Sequence, residues 1–370
     1  MRGGWTSLDR VSHFVHGYFL GLLLATYALA AAWPGPGLAL RGVSLGRVAL
    51  AGEAMPLTLP ALMLGFLLLN AGLGVKAAEL RGLARRPGLL GVGLLANLAI
   101  PVAFVFVVSR AMRGWHNGEE VQTILVGLAL VASMPIAGSS TAWSQNADGD
   151  LALSLGLVVT STLISPFATP MALHAVGWMA EGEYAADLHG LAAHGSGVFL
   201  AACVVVPSVL GILLRLLVGE ARLAVVRPWL KPANSANLLA LSYSNAAAAL
   251  PQAVAQPDWD FLGAILAITS SLCVLAFASG GAIARRLRAD APGRTSLMYG
   301  LGMNNNGTGL VLASMALADR PRVMLPIIFY NLVQQVVAGA VGSREGRRAG
   351  VEIGAPAVPA PHPLPESARA

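Results

Sequence analysis

Apolar stretches recur along the whole of this 370-residue chain. A helix needs about 20 predominantly apolar residues to cross the hydrocarbon core of a bilayer. Ten segments of about that length can be placed. They cover residues 12–33, 56–75, 88–109, 121–143, 151–175, 196–218, 234–251, 260–284, 295–317 and 322–342. The sequence therefore predicts an all-α polytopic membrane protein with about ten transmembrane helices, integral to the cytoplasmic (inner) membrane.

The few charged residues predict how the chain is oriented. Only 11% of residues are charged, against roughly 25% in soluble proteins. With the N-terminus in the cytoplasm, the cytoplasmic segments hold all but six of the 24 Lys and Arg residues; the six are Arg41, Arg47, Arg110, Arg113, Arg320 and Arg322. This positive-inside asymmetry predicts an even number of spans and two cytoplasmic termini. Because the basic residues lie in short loops, the net charge of +6 does not indicate nucleic-acid binding.

An acidic segment, EGEYAADLHG, divides the predicted spans five and five. An odd number of spans in each half inverts the second half relative to the first, which is a common plan of secondary transporters. The predicted parts are a cytoplasmic N-terminus, a five-helix repeat, an extracytoplasmic connecting loop, an inverted five-helix repeat and a cytoplasmic tail. The tail is rich in Pro and Ala, which predicts disorder. The parts cover residues 1–11, 12–175, 176–195, 196–342 and 343–370, respectively.

The fourth and ninth segments carry polar interruptions at corresponding positions of the two halves. The fourth, ILVGLALVASMPIAGSSTAWSQN, turns polar after Pro135, and the ninth contains YGLGMNNNGTGLVLAS. Pro and Gly weaken helices, and non-helical backbone at membrane depth persists only inside protein or beside a wet cavity. Freed carbonyl groups can coordinate a cation, and half-helix N-termini attract an anion. Close packing of small residues is the alternative. Three adjacent asparagines favour a binding site, because unpaired amides are costly in hydrocarbon.

The remaining polar residues and the cysteines indicate a second polar surface but no catalytic motif. In the tenth segment Asn331, Gln334 and Gln335 share one helical face, which indicates a polar stripe beside a cavity. The sequence contains no nucleophile elbow, phosphate-binding glycine loop or paired catalytic carboxylates, so no enzyme activity is predicted. Cys203 and Cys273 lie in apolar segments and are expected to pack as small hydrophobic residues.

The stretch MPIAGSSTAWSQNADGDLALSLGLVVTSTLISPFATP resembles the bile acid:sodium symporter family. Members carry a Pro-Gly break, a Gly-Asp turn, Ala-Leu-Ser and Thr-Leu-x-Ser-Pro. A second family signature, in the ninth segment, matches through Gly302, Met303 and Asn305. The resemblance covers about residues 56 to 342. In the first stretch the matching residues are Pro135, Gly149, Asp150, Ala152, Leu153, Ser154, Thr162, Leu163, Ser165 and Pro166.

The resemblance implies a core and a panel sub-domain, broken helices four and nine that cross at the midplane, and uptake of an organic anion coupled to sodium. No cofactor other than this coupling ion is implied. Carried over by position, one sodium site would use Ser140, Thr141 and Ser154. The other would use the carbonyl groups of Leu301 and Met303 with the side chains of Asn304 and Asn97. The substrate cavity would be lined by Gly138, Ser139, Asn305, Asn306, Gln334 and Gln335.

The sequence departs from the family at the cation ligands. The family's glutamate, which serves both sodium sites, falls on Gly300, and a threonine ligand falls on Val158. Asp and Glu do not occur in the fourth, fifth, ninth or tenth segment. A sodium site built from neutral oxygen atoms is expected to be weaker, because the desolvated cation lacks a counter-charge.

These observations predict a secondary carrier that moves a small organic anion across the bilayer by alternating access. The alternative is a membrane receptor or sensor that binds a small organic acid without transport, although the loops and tail contain nothing that resembles a signalling domain. An arsenite exporter of the wider superfamily is expected to have a cysteine in the fourth segment, and none occurs there.

Overall fold

A computed structural model describes residues 18–50, 52–76 and 86–348, and these residues are mostly helical. Several helices begin at a side chain that accepts a hydrogen bond from a backbone N–H of the first turn. Such caps satisfy donors that have no partner within the helix. The capping residues are Thr58, Asn117, Asp150, Asp258, Asp290 and Asn305.

Helices make up most of the chain, with one short pair of strands near its start. In chain order the elements are α1 (Phe19–Ala32), α2 (Gly35–Gly42), β1 (Ser44–Leu50), β2 (Glu53–Thr58), α3 (Leu59–Gly74), α4 (Pro87–Ala111), α5 (Gly118–Ser133), α6 (Ser139–Asn146), α7 (Leu151–Gly177), α8 (Gly182–Ala193), α9 (Ser196–Val218), α10 (Glu220–Ala246), α11 (Leu250–Ala255), α12 (Trp259–Arg286), α13 (Ala291–Gly302), α14 (Asn306–Ala316) and α15 (Met324–Arg348). A π-helical turn at Ala201–Val205 interrupts α9.

Within the described ranges, five helices are long and apolar enough to cross a membrane: α4, α7, α9, α12 and α15. A sixth span results if α1 and α2, which are bent by 92° to each other, are counted together. Helix α3 is apolar but shorter, and the fourth and ninth predicted segments are each split into two short helices. The protein is therefore an all-α membrane protein. A helix overlaps each of the ten predicted segments, while ten spans in two inverted repeats stay a prediction.

The surface of the helices fits a lipid environment. In α7 the side chains of Phe167 and Met171 are 76% and 67% exposed. Trp33, Trp178 and Trp259 are exposed where α1 and α7 end and where α12 begins. Tryptophan is enriched at membrane–water interfaces, so these helix ends have the composition expected at the headgroup level.

Three elements differ from the sequence prediction. The connection predicted as a loop over 176–195 contains α8, because Leu188 and Leu191 form a buried face that packs on α7. The antiparallel pair β1 and β2 was not predicted; Gly52, with φ of +85°, lies in its turn, a conformation that favours glycine. Helix α10 begins well before the predicted residue 234, because its first half is polar and hydropathy does not reveal it.

The predicted boundary of the C-terminal tail was also wrong at its start. Helix α15 continues to Arg348, so residues 343–348, predicted as part of a disordered tail, are helical. Residues 343–348 contain no proline, and polar residues can extend a helix beyond its apolar part. The rest of the tail, residues 349–370, and residues 1–17 lie outside the described residues, and so do the predictions of disorder and of cytoplasmic termini made for them.

One arginine joins the starts of three helices that support the site. Arg86, which precedes α4, makes two hydrogen bonds to Asp290 (2.5 and 2.7 Å) and an ion pair with Asp150 (3.2 Å). These aspartates cap α13 and α7. The Arg86 guanidinium lowers the pKa of Asp290 to about 2 from its ordinary 3.8. Because the folded pKa is the lower one, this stabilisation is present above pH 3.8 and is lost as the pH falls through about 2.

Candidate functional site

The two interrupted helices meet at their breaks. The first break, between α5 and α6, covers residues 134–138, and the second, between α13 and α14, covers residues 303–305. Ile136 and Asn304 form an antiparallel bridge. The Ala137 N–H donates to the Met303 carbonyl (2.8 Å), and the Asn305 N–H donates to the Pro135 carbonyl (2.9 Å). We call this paired segment the crossing. The predicted interruptions therefore do contact each other.

The breaks are narrower than the glycine and asparagine runs suggest. Gly300 and Gly302 lie in α13, and Gly307 and Gly309 lie in α14. Gly302 is needed for close approach, since a Cβ atom there would stand 2.1 Å from the Phe277 ring. At the second break, only residues 303–305 lie outside α13 and α14. Gly300 and Gly302 therefore allow tight packing beside the crossing rather than forming it.

Side chains from neighbouring helices bond the backbone that the breaks leave free. The Ser161 hydroxyl accepts from the Ile136 N–H (3.1 Å), and the Thr169 hydroxyl donates to the Ser133 carbonyl (2.5 Å). At the second break the Tyr330 hydroxyl donates to the Gly302 carbonyl (3.2 Å). Unpaired backbone groups are costly away from water. These bonds explain how irregular backbone persists inside a membrane protein.

A chain of hydrogen bonds links the crossing to α1. The Asn304 N–H donates to the Gln334 side chain (3.2 Å), whose amide donates to the Asn331 side chain (3.3 Å). Asn331 in turn donates to the Tyr27 hydroxyl (2.9 Å). The Asn304 amide also donates to the Val131 carbonyl in the last turn of α5 (3.0 Å). The polar stripe predicted on the tenth segment is thus used to hold the second break in position.

Replacing Tyr27 with phenylalanine is expected to destabilise the fold by about 1 kcal/mol, because the half-buried Asn331 amide loses its acceptor. A double-mutant cycle with Asn331→Leu measures the coupling by thermal unfolding in detergent. The effect of Tyr27→Phe is expected to shrink when Asn331 is already absent. Equal effects in both backgrounds would show that the hydrogen bond contributes nothing to the fold.

Two helix N-termini lie beside the crossing. Helix α6 begins at Ser139 and α14 begins at Asn306, each directly after a break. A helix N-terminus carries a partial positive charge and free N–H groups, which attract anions. Gly138 and Ser139 are exposed, and Asn305 is half-buried. The half-buried Asn305 side chain accepts a hydrogen bond from the Thr308 N–H (3.2 Å) and so caps α14.

The other predicted substrate-contacting residues are half-buried or buried. Gln334 is buried within the chain of hydrogen bonds described above. Gln335 accepts a hydrogen bond from the Trp143 indole (3.3 Å). Asn306 is 1% exposed, and neither polar atom of its side chain has a partner among the described residues. Of the six residues predicted to line the cavity, Gly138 and Ser139 are exposed, Asn305 and Gln335 are half-buried, and Asn306 and Gln334 are buried.

Buried oxygen atoms without partners occur at the predicted cation ligands. Within the part of the chain that the structure describes, Asn97 Oδ1, Ser140 Oγ and Asn304 Oδ1 are buried without a hydrogen bond. Thr141 and Ser154, assigned to the same site as Ser140, contact each other through their hydroxyl groups (3.4 Å). Leaving a buried polar atom unpaired costs free energy, and neutral oxygen atoms are ligands of alkali and alkaline-earth cations.

The backbone ligands predicted for the second cation are also placed. The Met303 carbonyl accepts a hydrogen bond within the crossing, and Leu301 lies in the last turn of α13, 2% exposed. Gly300 is buried, and a Cβ atom added there would stand 2.8 Å from a Leu157 methyl group. An aliphatic side chain therefore occupies the space beside the position where the resemblance expects a glutamate.

Two residues important for the crossing were not identified from sequence. Tyr27 is one aromatic residue in an apolar helix, and the signal available was that a buried tyrosine hydroxyl usually needs a partner. Ser161 is one of several serines in an apolar helix, where a hydroxyl commonly bonds the backbone of its own helix. It does donate to the Val158 carbonyl (3.0 Å), but its oxygen also accepts from the first break.

Comparison with known proteins gives consistent matches. The sequence profile of the sodium bile acid symporter family matches residues 61–256. In Bacillus subtilis (strain 168), YbaS, named an uncharacterized protein, is 26% identical over 244 residues, which are 65% of this chain and 76% of YbaS. YocS from the same organism, named an uncharacterized sodium-dependent transporter, is 24% identical over 285 residues, which are 75% of this chain and 81% of YocS.

Proposed function

Because this chain belongs to the sodium bile acid symporter family, whose profile matches more than half of it, we propose that it is a secondary carrier of a small organic anion. Members of this family are transporters rather than enzymes, and the apolar helices place this one in a membrane. The observation that carries the proposal is the crossing, where two half-helices begin beside accessible polar groups.

The anion is proposed to bind where α6 and α14 begin. Two partial positive charges and the N–H groups of two first turns complement a carboxylate without a fixed cation. Gly138 and Ser139 are exposed there, and Asn305 offers an amide to the remaining substrate oxygen atoms. Neutral donors of this kind bind an anion without the desolvation cost of a buried Arg or Lys.

Sodium is proposed as the coupling ion, held by neutral oxygen atoms. Asn97, Ser140 and Asn304 contribute buried oxygen atoms without partners, and Thr141 and Ser154 add two hydroxyl groups. The relative YocS is named as sodium-dependent, which favours the same ion here. Since Gly300 supplies no carboxylate, we propose that sodium binds weakly. A high sodium concentration is then needed to stimulate uptake.

Alternating access requires one group of helices to move relative to another. The hydrogen bond that Asn331 of α15 donates to Tyr27 of α1 joins two elements that are far apart in sequence. We propose that α1 and α15 move relative to each other during transport. The hydrogen bond would then be present in one state and broken in the other, and so would affect the balance between the two states.

Transport in proteoliposomes tests the proposed function. The purified protein is reconstituted, and uptake of labelled carboxylates of increasing size is measured with an inward sodium gradient and with potassium in its place. Saturable uptake of at least one carboxylate is expected, several-fold faster with sodium. Saturable binding without uptake of any carboxylate would instead indicate a receptor, and the absence of both would contradict an organic-anion site.

A further inference from the structure

A cluster of side chains away from the crossing has the composition of a transition-metal site. His116, Glu120 and Asp260 each place one candidate ligand atom within 4.8 Å of the others. His116 lies in the turn before α5, Glu120 in the first turn of α5, and Asp260 in the first turn of α12. An imidazole and two carboxylates are ligands that zinc accepts. We propose that these residues bind a zinc-type divalent cation, separate from any coupling ion.

The distances within the cluster suit metal ligation. His116 Nε2 and Asp260 Oδ2 are 3.2 Å apart. Two ligands of a tetrahedral zinc ion lie about 3.4 Å from each other, given metal–ligand bonds near 2.0–2.2 Å. The pair therefore already has the required separation, and a carboxylate oxygen of Glu120 lies within 4.8 Å of both atoms.

The environment of Glu120 favours a bound cation. Its side chain is 3% exposed. The Trp115 indole donates to one carboxylate oxygen (2.7 Å) and the Asn117 amide donates to the other (2.7 Å). Both donors are neutral, and none of the ion pairs among the described residues includes Glu120. A buried carboxylate without a cation is costly, so a bound metal would compensate its charge.

The surroundings of the cluster supply the other properties of a metal site. Each carboxylate oxygen of Glu120 keeps a free lone pair, and the bonds from Trp115 and Asn117 fix the carboxylate's direction, as donors behind metal ligands commonly do. The side chains of His116 and Asp260 are 63% and 54% exposed. A metal ion can therefore reach the cluster from solvent, and water can occupy a fourth position.

A bound ion would connect two helices of the transport machinery. Helix α5 leads directly into the first break, and α12 contacts α13, which leads into the second. Arg322, the basic residue nearest in sequence to the start of α15, pairs with Asp258 rather than with Asp260. A bound metal would therefore add a further link between the starts of α5 and α12, beside the contact of His116 with Asp260.

Calorimetric titration with zinc chloride tests this proposal. The full chain is purified in detergent, treated with a chelator and titrated with zinc. One ion per chain is expected to bind. His116→Ala and Asp260→Asn are each expected to lower the affinity at least tenfold, because each removes one of three ligands. His194→Ala, which changes an exposed histidine elsewhere, is the matched control and is expected to bind as the unaltered protein does.

Three outcomes would overturn the proposal. One is the absence of saturable zinc binding, which would leave Glu120 only as the acceptor for Trp115 and Asn117, and His116 with Asp260 as a surface contact. Another is an unchanged affinity in either ligand variant. The third is loss of binding in His189→Ala with retention in His116→Ala, since the Nδ1 atoms of His189 and His174 are 2.9 Å apart and could hold the ion instead. Thermal unfolding without zinc verifies that each variant is folded.

Discussion

Replacing Asn305 with aspartate is expected to abolish transport of an organic anion and leave the protein folded. Aspartate has the same shape and caps a helix as well as asparagine does, so the bond to the Thr308 N–H persists. It adds a negative charge at the proposed anion site. At an effective dielectric of 20 and ~4 Å, that charge costs about 4 kcal/mol, or roughly three decades of affinity. Uptake and binding of the best carboxylate in proteoliposomes measure the loss.

Asn305→Ser is the matched control, because serine also caps the helix but stays neutral. This variant is expected to keep substrate affinity within about tenfold and to unfold at nearly the same temperature. Asn305→Leu is a poorer choice, since it would also remove the cap, at a cost of about 0.5–2 kcal/mol. If the aspartate variant transported the anion with undiminished affinity, the substrate would lie elsewhere.

The membrane class and both breaks were predictable because their signals are local. Hydropathy identifies an apolar helix from its own residues, and Pro135 and the asparagine run mark the breaks without knowledge of the fold. Their contact could be expected only from the resemblance and the matching positions in the two halves. The antiparallel bridge between Ile136 and Asn304 shows which residues of the two breaks pair. The spacing of residues in the sequence does not reveal this pairing.

Partners across the fold were not predictable from sequence. Asn331 and Tyr27 are 304 positions apart, and no periodicity indicates which polar side chain meets which. A side-chain amide that binds substrate cannot be told from the sequence apart from one that bonds the backbone. Gln334 accepts a hydrogen bond from the Asn304 N–H at the second break, and Asn305 caps α14. Helix α8 was missed for a different reason, since its acidic composition concealed two buried leucines.

The weak sodium site is tested by adding the missing carboxylate. Gly300→Glu alone would be confounded, because its Cβ atom would stand 2.8 Å from a Leu157 methyl group, and Leu157 is fully buried. The glutamate is therefore introduced together with Leu157→Ala, which makes room for it. The matched control carries Gly300→Gln with Leu157→Ala, so that the two proteins differ in one charge and have the same volume.

The glutamate protein is expected to bind sodium roughly one to two decades more tightly than the glutamine protein, at ~1.4 kcal/mol per decade. A carboxylate ~4 Å from a cation contributes about 4 kcal/mol of attraction at an effective dielectric of 20, and its desolvation offsets much of this. The sodium concentration that gives half-maximal uptake measures the difference, and the unaltered protein is expected to resemble the glutamine form. Tight sodium dependence of the unaltered protein, at low millimolar concentration, would show that the oxygen atoms of Asn97, Ser140 and Asn304 suffice without a counter-charge.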